Sequence, residues 1–333
     1  GRYLTERAHF PNTPPLEGGL VLEQPGEPPI IVALVLGFAP NQGDGWDHTL
    51  AYLEHAAERW REGEHPGPVS ATEGKQPQEE HAAYLALVRT MGLRTGQLHR
   101  ALGADEDDPA FRPEQVDRDE QARWGQVVAN DAKRVLDELQ ERRLELPSES
   151  SALAEALVSR RDDLAALVQE LTPSIPALYK TRFHGDFRLG QVLVVSNHDV
   201  QIIDFEGEAA RHLEARPDKH SPLRDVAGFL RSLGHAAAAV QRGIGASLLM
   251  PQSVVAAWLR QWEEASARAF WRGYEEGAEG GPGFPDDPEL RAGLVRLFSL
   301  EKALFELSQA LRGKPGALAE SLSSMLTLLE TGP

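Results

Sequence analysis

The sequence predicts an α+β fold: a small mixed segment at the N-terminus, followed by a large, mostly helical body. Three observations carry this. β-rich runs are confined to two short stretches, Leu20 to Leu36 and Val192 to Ile203. From about His81 onward apolar residues recur at three-to-four spacing among many Glu, Arg and Ala positions, the pattern of amphipathic helices made from good helix formers. Finally, 333 residues with 41% hydrophobic content suffice for a sizeable core, in two packed subdomains or one large domain.

Taken in order, Arg2 to His9 reads as the end of a helix, which Pro11, Pro14, Pro15 and the Gly18-Gly19 pair then break. Leu20-Val21-Leu22 and Ile30 to Leu36, separated by a Pro/Gly turn around Gln24 to Pro29, read as a hairpin. Gly37-Phe38-Ala39-Pro40 ends the second strand, and Asp44 or Asp47 can cap a helix running through Trp60. Gly63 to Glu79 is rich in Gly, Pro and Glu and reads as an exposed loop. Helices are predicted over 80–102, 117–143, 150–171, 223–240, 251–278, 288–311 and 316–330. One β island interrupts them: Val192 to Val195, a turn at Ser196 to Asp199, and Val200 to Ile203. The organisation is therefore an N-terminal portion over 1–66, a loop or linker over 67–79, and a helical body over 80–333.

Composition excludes several functions. The net charge is −17, which argues against nucleic acid or an anionic membrane as partner, since both demand a positive face. There are no cysteines, so disulfides, thiolate zinc sites and cysteine nucleophiles are ruled out, and a reducing, cytoplasmic compartment is expected. The longest apolar run, Ile30 to Phe38, is too short to span a bilayer. The first lysine in the chain is Lys75.

The β island carries the chemistry. It reads His184-Gly185-Asp186-Phe187-Arg188-Leu189-Gly190-Gln191, then a hairpin, then Ile203-Asp204-Phe205-Glu206-Gly207. Protein kinases place a catalytic Asp in H-R-D, an amide side chain five residues later, and a metal-binding Asp in D-F-G after a short hairpin. Here Gln191 follows Asp186 by five and Asp204 follows the hairpin with Phe205 beside it. Phosphoryl transfer needs a group to orient the acceptor hydroxyl and take its proton, and oxygen ligands to hold Mg²⁺ on the phosphates. A short loop feeding a tight hairpin puts Asp186, Gln191 and Asp204 at one end of one small sheet. Arg188 can stabilise charge on the transferred phosphoryl. The competing readings are a hydrolase or metal-loop Asp and a buried Asp capping a turn.

The run from Lys180 to Ala237 resembles the bacterial maltokinases, above all those fused behind trehalose synthase. These belong to the aminoglycoside phosphotransferase-like branch of the protein-kinase-like fold. Further segments share the resemblance: Gly1 to Glu6, Phe10 to Leu16, Pro40 to Trp46, Arg94 to His99 and Leu300 to Glu306. It implies ATP-dependent phosphorylation of maltose at its anomeric hydroxyl, with ATP and Mg²⁺ as cofactors and trehalose synthase as a fused or associated partner. Asp186 would be the base, and Gln191 and Asp204 the Mg²⁺ ligands. The strand end Leu36, Phe38 and Asn41 would form the adenine hinge, with Asp44 just past it near the ribose. Asp225 would brace the catalytic loop. Kinase-fold enzymes also hold the phosphates with a strand lysine. None stands here before Lys75, so the expectation is a truncated N-terminal lobe within a longer protein.

Sugar sites pair an aromatic face with charged groups for the hydroxyls, and the helical body offers both. Tyr274, Glu301 and Lys302 are candidates, with a core role as the rival for Tyr274 and an exposed charged face for the other two. Glu206, beside the metal Asp, is a further candidate against plain solvation. Two rivals to maltose phosphorylation stay open: a kinase for glucosamine, another amino sugar or an aminoglycoside, since cationic acceptors favour carboxylates; and a non-catalytic partner of trehalose synthase.

Overall fold

The computed structural model describes residues 1–24, 26, 29–62, 79–175, 178–205, 207, 219–244, 252–313 and 315–330. In chain order the elements are α1 (Arg2–Glu6), β1 (Leu16–Leu22), β2 (Ile30–Leu36), α2 (Gly45–Arg61), α3 (Glu79–Leu102), β3 (Glu114–Val116) and α4 (Arg118–Arg142). They continue with α5 (Ser148–Ser159), α6 (Arg161–Leu171), β4 (Leu178–Lys180), β5 (Val192–Val195) and β6 (Asp199–Ile202). The chain then runs through α7 (Leu223–Ile244), α8 (Gln252–Ala278), α9 (Pro288–Arg312) and α10 (Pro315–Glu330). The helix expected over 150–171 is two helices, α5 and α6, separated at Arg160, whose φ of −98° and ψ of 21° leave the helical range. No Gly or Pro marks that break in the sequence. The loop expected over 67–79 lies outside the described residues except for Glu79.

The chain divides into two compact units, each assembled from three separate stretches. One holds Gly1–Pro113, Thr181–Asp218 and Ser232–Pro282. Its centre is the α3–α8 pair, and the contact between these helices is backbone on backbone. A Cβ on Gly92 would stand 2.0 Å from the Phe270 carbonyl oxygen, and one on Gly273 would stand 1.9 Å from that of Arg89. Gly96 and Gly277 repeat the arrangement one turn on, at 2.5 Å from the Tyr274 oxygen and 2.2 Å from the Leu93 oxygen. A glycine every fourth residue on each helix thus lets the axes approach as side chains would forbid. Beyond the seam, Tyr52 stacks on Tyr84 with ring centroids 4.1 Å apart, and fully buried Trp262 and Phe270 complete this core.

The same unit contains the hairpin β1–β2, paired antiparallel from Leu16–Leu36 to Leu22–Ile30. β2 is exposed along its whole length, although it reads Ile-Ile-Val-Ala-Leu-Val-Leu. The second small sheet, β5–β6, runs in register from Val192–Ile202 to Val195–Asp199, with its alternate residues Val192, Val194, Val200 and Ile202 buried.

The other unit holds Glu114–Lys180, Lys219–Arg231 and Gly283–Pro333. α4 starts at Asp117, whose carboxylate accepts from the Glu120 N–H at 2.7 Å. α9 starts at Asp287, which accepts from Glu289 N–H at 2.9 Å, with Pro288 in the first turn. Trp124 stacks on His220, centroids 4.3 Å apart, and meets the edge of Phe298. The start of α7 is tied to α9 by two ion pairs, Arg224–Glu301 and Arg231–Glu306. β3 and β4, three residues each, pair antiparallel.

Candidate active site

The loop from His184 to Gln191 is anchored by every second side chain from Phe187 on. Phe187, Leu189 and Gln191 are buried, and the Leu189 N–H donates to Ser232 Oγ at 3.1 Å. Arg188 points the other way and is 60% exposed. His184, also buried, ties this loop to the segment after β6. Its Nε2 is 2.8 Å from the Ile203 carbonyl oxygen, so that nitrogen carries the proton, and Nδ1 accepts from the Asp186 N–H at 3.4 Å. Its ring centroid lies 4.9 Å from that of Phe205 and 5.3 Å from that of Phe187. Gly185 has φ of +94°, and a Cβ there would stand 3.2 Å from Gly207 Cα. Both the backbone angle and the closeness of the two strands of chain call for glycine.

Gln191 and Asp204 meet at the open end of the β5–β6 hairpin. The Gln191 Nε2 donates to Asp204 Oδ2 at 3.0 Å, and the Ile203 N–H donates to the Gln191 backbone oxygen at 3.0 Å. Asp204 has φ of +68°, an uncommon conformation for a residue with a Cβ and one that concentrates at functional sites. Asp186 sits in the same loop as Gln191, with Arg188 Nε 3.7 Å from its Oδ2. The two candidate cation ligands both offer oxygen, the Asp204 carboxylate and the Gln191 amide. That suits Mg²⁺, which takes one or two protein ligands and completes its shell from water and phosphate. Among the described residues no group of three or more His, Cys, Asp or Glu is placed to hold a metal ion.

The segment after β2 lies along the outer edge of β5. The Gln42 N–H donates to the Val194 oxygen at 2.8 Å, and the Val194 N–H to the Gly43 oxygen at 3.0 Å. Asn41 closes its own turn, accepting from the Gly43 N–H at 3.0 Å and donating to the Ala39 oxygen at 2.9 Å. Asp44 accepts from the Asp47 N–H at 2.9 Å and so caps α2. Leu36 and Phe38 are exposed, Phe38 to 88%, beside this edge.

The remaining candidates fall elsewhere. Tyr274, expected as a sugar contact, is fully buried. Its hydroxyl is 3.0 Å from His99 Nδ1, and its ring packs against Phe270 and Trp271; it is a core residue of the α3–α8 pair. Glu301 and Lys302 belong to the other unit. There Glu301 is buried against Arg224, and the Lys302 ammonium lies 5.6 Å from the centroid of the Phe305 ring. Glu206 lies outside the described residues. Sequence reasoning missed the residues that hold the hairpin: Asn12, Arg94 and Asp199. The resemblance covers the segments containing Asn12 and Arg94, but their spacing in the chain gives no sign that they converge on Asp199.

The fold is that of solved sugar-kinase structures. One, a glucosamine kinase in complex with glucosamine, ADP and inorganic phosphate, superposes with a TM-score of 0.69 at 22% identity, over 97% of this chain and 70% of that one. A second glucosamine kinase crystal form gives 0.68 at 22% identity, over 98% of this chain and 67% of that one. In sequence, the chain is 25% identical over 262 residues, 78% of its length, to a glucosamine kinase of Streptacidiphilus jiangxiensis. It spans half the length of that relative. No protein-family model matches the chain. Among the described residues no helix is long and apolar enough to cross a membrane.

Proposed function

We propose that this chain carries the catalytic loop and cation-binding hairpin of an ATP-dependent sugar kinase of the aminoglycoside phosphotransferase-like type, acting on an amino sugar of the glucosamine class. The observation that carries the reading is the Gln191–Asp204 hydrogen bond at the open end of a hairpin entered from the Asp186 loop. The similarity to glucosamine kinases supports the amino-sugar acceptor over maltose. Maltose, and trehalose synthase as partner, rest on the sequence resemblance alone.

In this reading Asp186 accepts the proton of the acceptor hydroxyl as its oxygen bonds to the γ-phosphorus and the bond to ADP breaks. Arg188, exposed beside Asp186, offers a charge that does not depend on pH to the transferred phosphoryl. The Gln191 amide oxygen and the Asp204 carboxylate would hold Mg²⁺, which when bound neutralises phosphate charge. Leu36 and Phe38 offer apolar surface to adenine, with Asn41 and Asp44 at the edge of that surface.

The test is a sugar panel with Mg·ATP on the full-length protein, read as ADP release. Glucosamine turnover with little on maltose is expected, and Asp186→Asn should lower it about a hundredfold or more. Equal turnover by Asp186→Asn and wild type would refute the assignment. Activity on maltose without glucosamine would reverse the acceptor.

A further inference from the structure

The hairpin that presents Gln191 and Asp204 is gripped at its other end by groups the reaction does not use. In the β5–β6 register Val195 faces Asp199. Asp199 therefore stands at the closed end, next to a turn in which Asn197 and His198 have φ of +64° and +57°. Arg94, from α3, holds the Asp199 carboxylate at two points: Nε donates to Oδ1 and Nη2 to Oδ2, both at 2.8 Å. Its remaining nitrogen donates to Gln97 Oε1 at 2.8 Å, so the guanidinium is fixed on every side. Asn12 covers the free edge of β6. Its Nδ2 donates to the Val200 oxygen at 2.8 Å and to Asp199 Oδ1 at 3.2 Å, and its backbone oxygen accepts from the Ile202 N–H at 2.8 Å.

A two-point guanidinium–carboxylate contact fixes direction as well as distance. Arg94 lies between Gly92 and Gly96, in the stretch of α3 that meets the α8 backbone and has least room to slide. From Asp199 the two short strands run roughly 15 Å, at about 3.3 Å per residue, to the open end. An angular error at the turn is therefore passed on to Gln191 and Asp204. As a source of stability the pair is modest: its side chains are about 26% and 33% exposed, a setting in which ion pairs contribute little. Its fixed geometry is the larger asset.

We propose that Arg94 and Asp199, with Asn12, are positioning residues that set the placement of Gln191 and Asp204 for a nucleotide-bound divalent cation. This rests on the kinase reading of the site. A Lys at 94 keeps the charge but not the two-point contact, so Arg94→Lys should behave more like Arg94→Ala than like the wild type.

The test compares Arg94→Ala, Arg94→Lys, Asp199→Asn and Asp204→Asn with the wild-type full-length protein. Mn²⁺ binding in the presence of ADP is followed by electron paramagnetic resonance. The Mg²⁺ dependence of kcat, the KM for glucosamine and the melting temperature are measured alongside. The Arg94 and Asp199 variants should bind Mn²⁺ at least about fivefold more weakly and lose tenfold to a hundredfold in kcat, the order expected for an ångström-scale misplacement. KM for the sugar should stay within about twofold. Exchanging the partners, Arg94→Asp with Asp199→Arg, should recover part of the Mn²⁺ affinity. The proposal is overturned if the Arg94 and Asp199 variants lose only melting temperature, binding Mn²⁺ and turning over like the wild type while Asp204→Asn does not. Wild-type Mn²⁺ binding and turnover by Asp204→Asn would instead overturn the site reading itself, and the proposal with it.

Discussion

Replacing Gly273 by alanine places a methyl group 1.9 Å from the Arg89 carbonyl oxygen and 2.8 Å from the Leu93 nitrogen. Ordinary carbon–oxygen contacts begin above about 3.2 Å, so the helices must part locally by more than an ångström. The obstacle is backbone on a regular helix, so no rotamer change relieves it. Overpacking of this kind costs about 1–3 kcal/mol, occasionally more, and a rigid backbone obstacle puts Gly273→Ala at the upper end. Alanine returns at most ~1 kcal/mol of helix propensity. The net expectation is a destabilisation of about 2 kcal/mol. Gly243→Ala is the control: it is also a helical glycine, in α7, but nothing lies within 4 Å of its added methyl, and it should stabilise by a few tenths to ~1 kcal/mol. Urea denaturation followed by circular dichroism of the helical signal reads both. Equal or greater stability of Gly273→Ala, with Gly243→Ala behaving as stated, would refute the reading of the seam as a steric contact.

Other outcomes follow from the same geometry. Burial raises the Asp199 carboxyl, but Arg94, the Val200 N–H and Asn12 outweigh it and hold the group below its usual range. Its contribution is therefore complete above the unfolded carboxylate value of about 3.9. It is lost as pH falls through the lower folded value. The stability gap between wild type and Asp199→Asn should stay level from pH 7 to 5 and close below about pH 4; a gap unchanged at low pH would count against it. Arg231→Ala removes the ion pair to Glu306 and the contact with Ser324 Oγ and should cost about 1–3 kcal/mol in thermal or urea unfolding. Gly185→Ala, strained by its φ of +94° and crowded against Gly207, should cost about 1–3 kcal/mol and weaken Mn²⁺·ADP binding. Unchanged binding would separate loop geometry from cation placement.

Local signals were legible in the sequence. The Pro/Gly turn between two β-rich runs marks β1–β2, and helix periodicity places α3, α8 and α9 within a residue or two of their observed ends. The ordered set Asp186, Gln191 and Asp204 is also local, so its presence near one hairpin follows from spacing. Contacts between distant residues were not legible. β3 and β4 are too short to show alternation, and their partners lie far apart in the chain. The glycine seam was visible only as Gly92/Gly96 and Gly273/Gly277, two pairs four residues apart whose meeting depends on the fold. Tyr274 shows the limit of periodicity: a helical tyrosine reads the same whether its hydroxyl faces a sugar or, as here, a buried histidine.

The seam also sets a timetable. α3 ends at Leu102 and α8 begins at Gln252, so at roughly 5–20 residues per second the ribosome takes on the order of ten to thirty seconds to supply the partner. During that interval the glycine face of α3, thin in side chains, has no α8 to cover it. The backbone contact at the centre of its unit can therefore close only after α4 to α7 have been made.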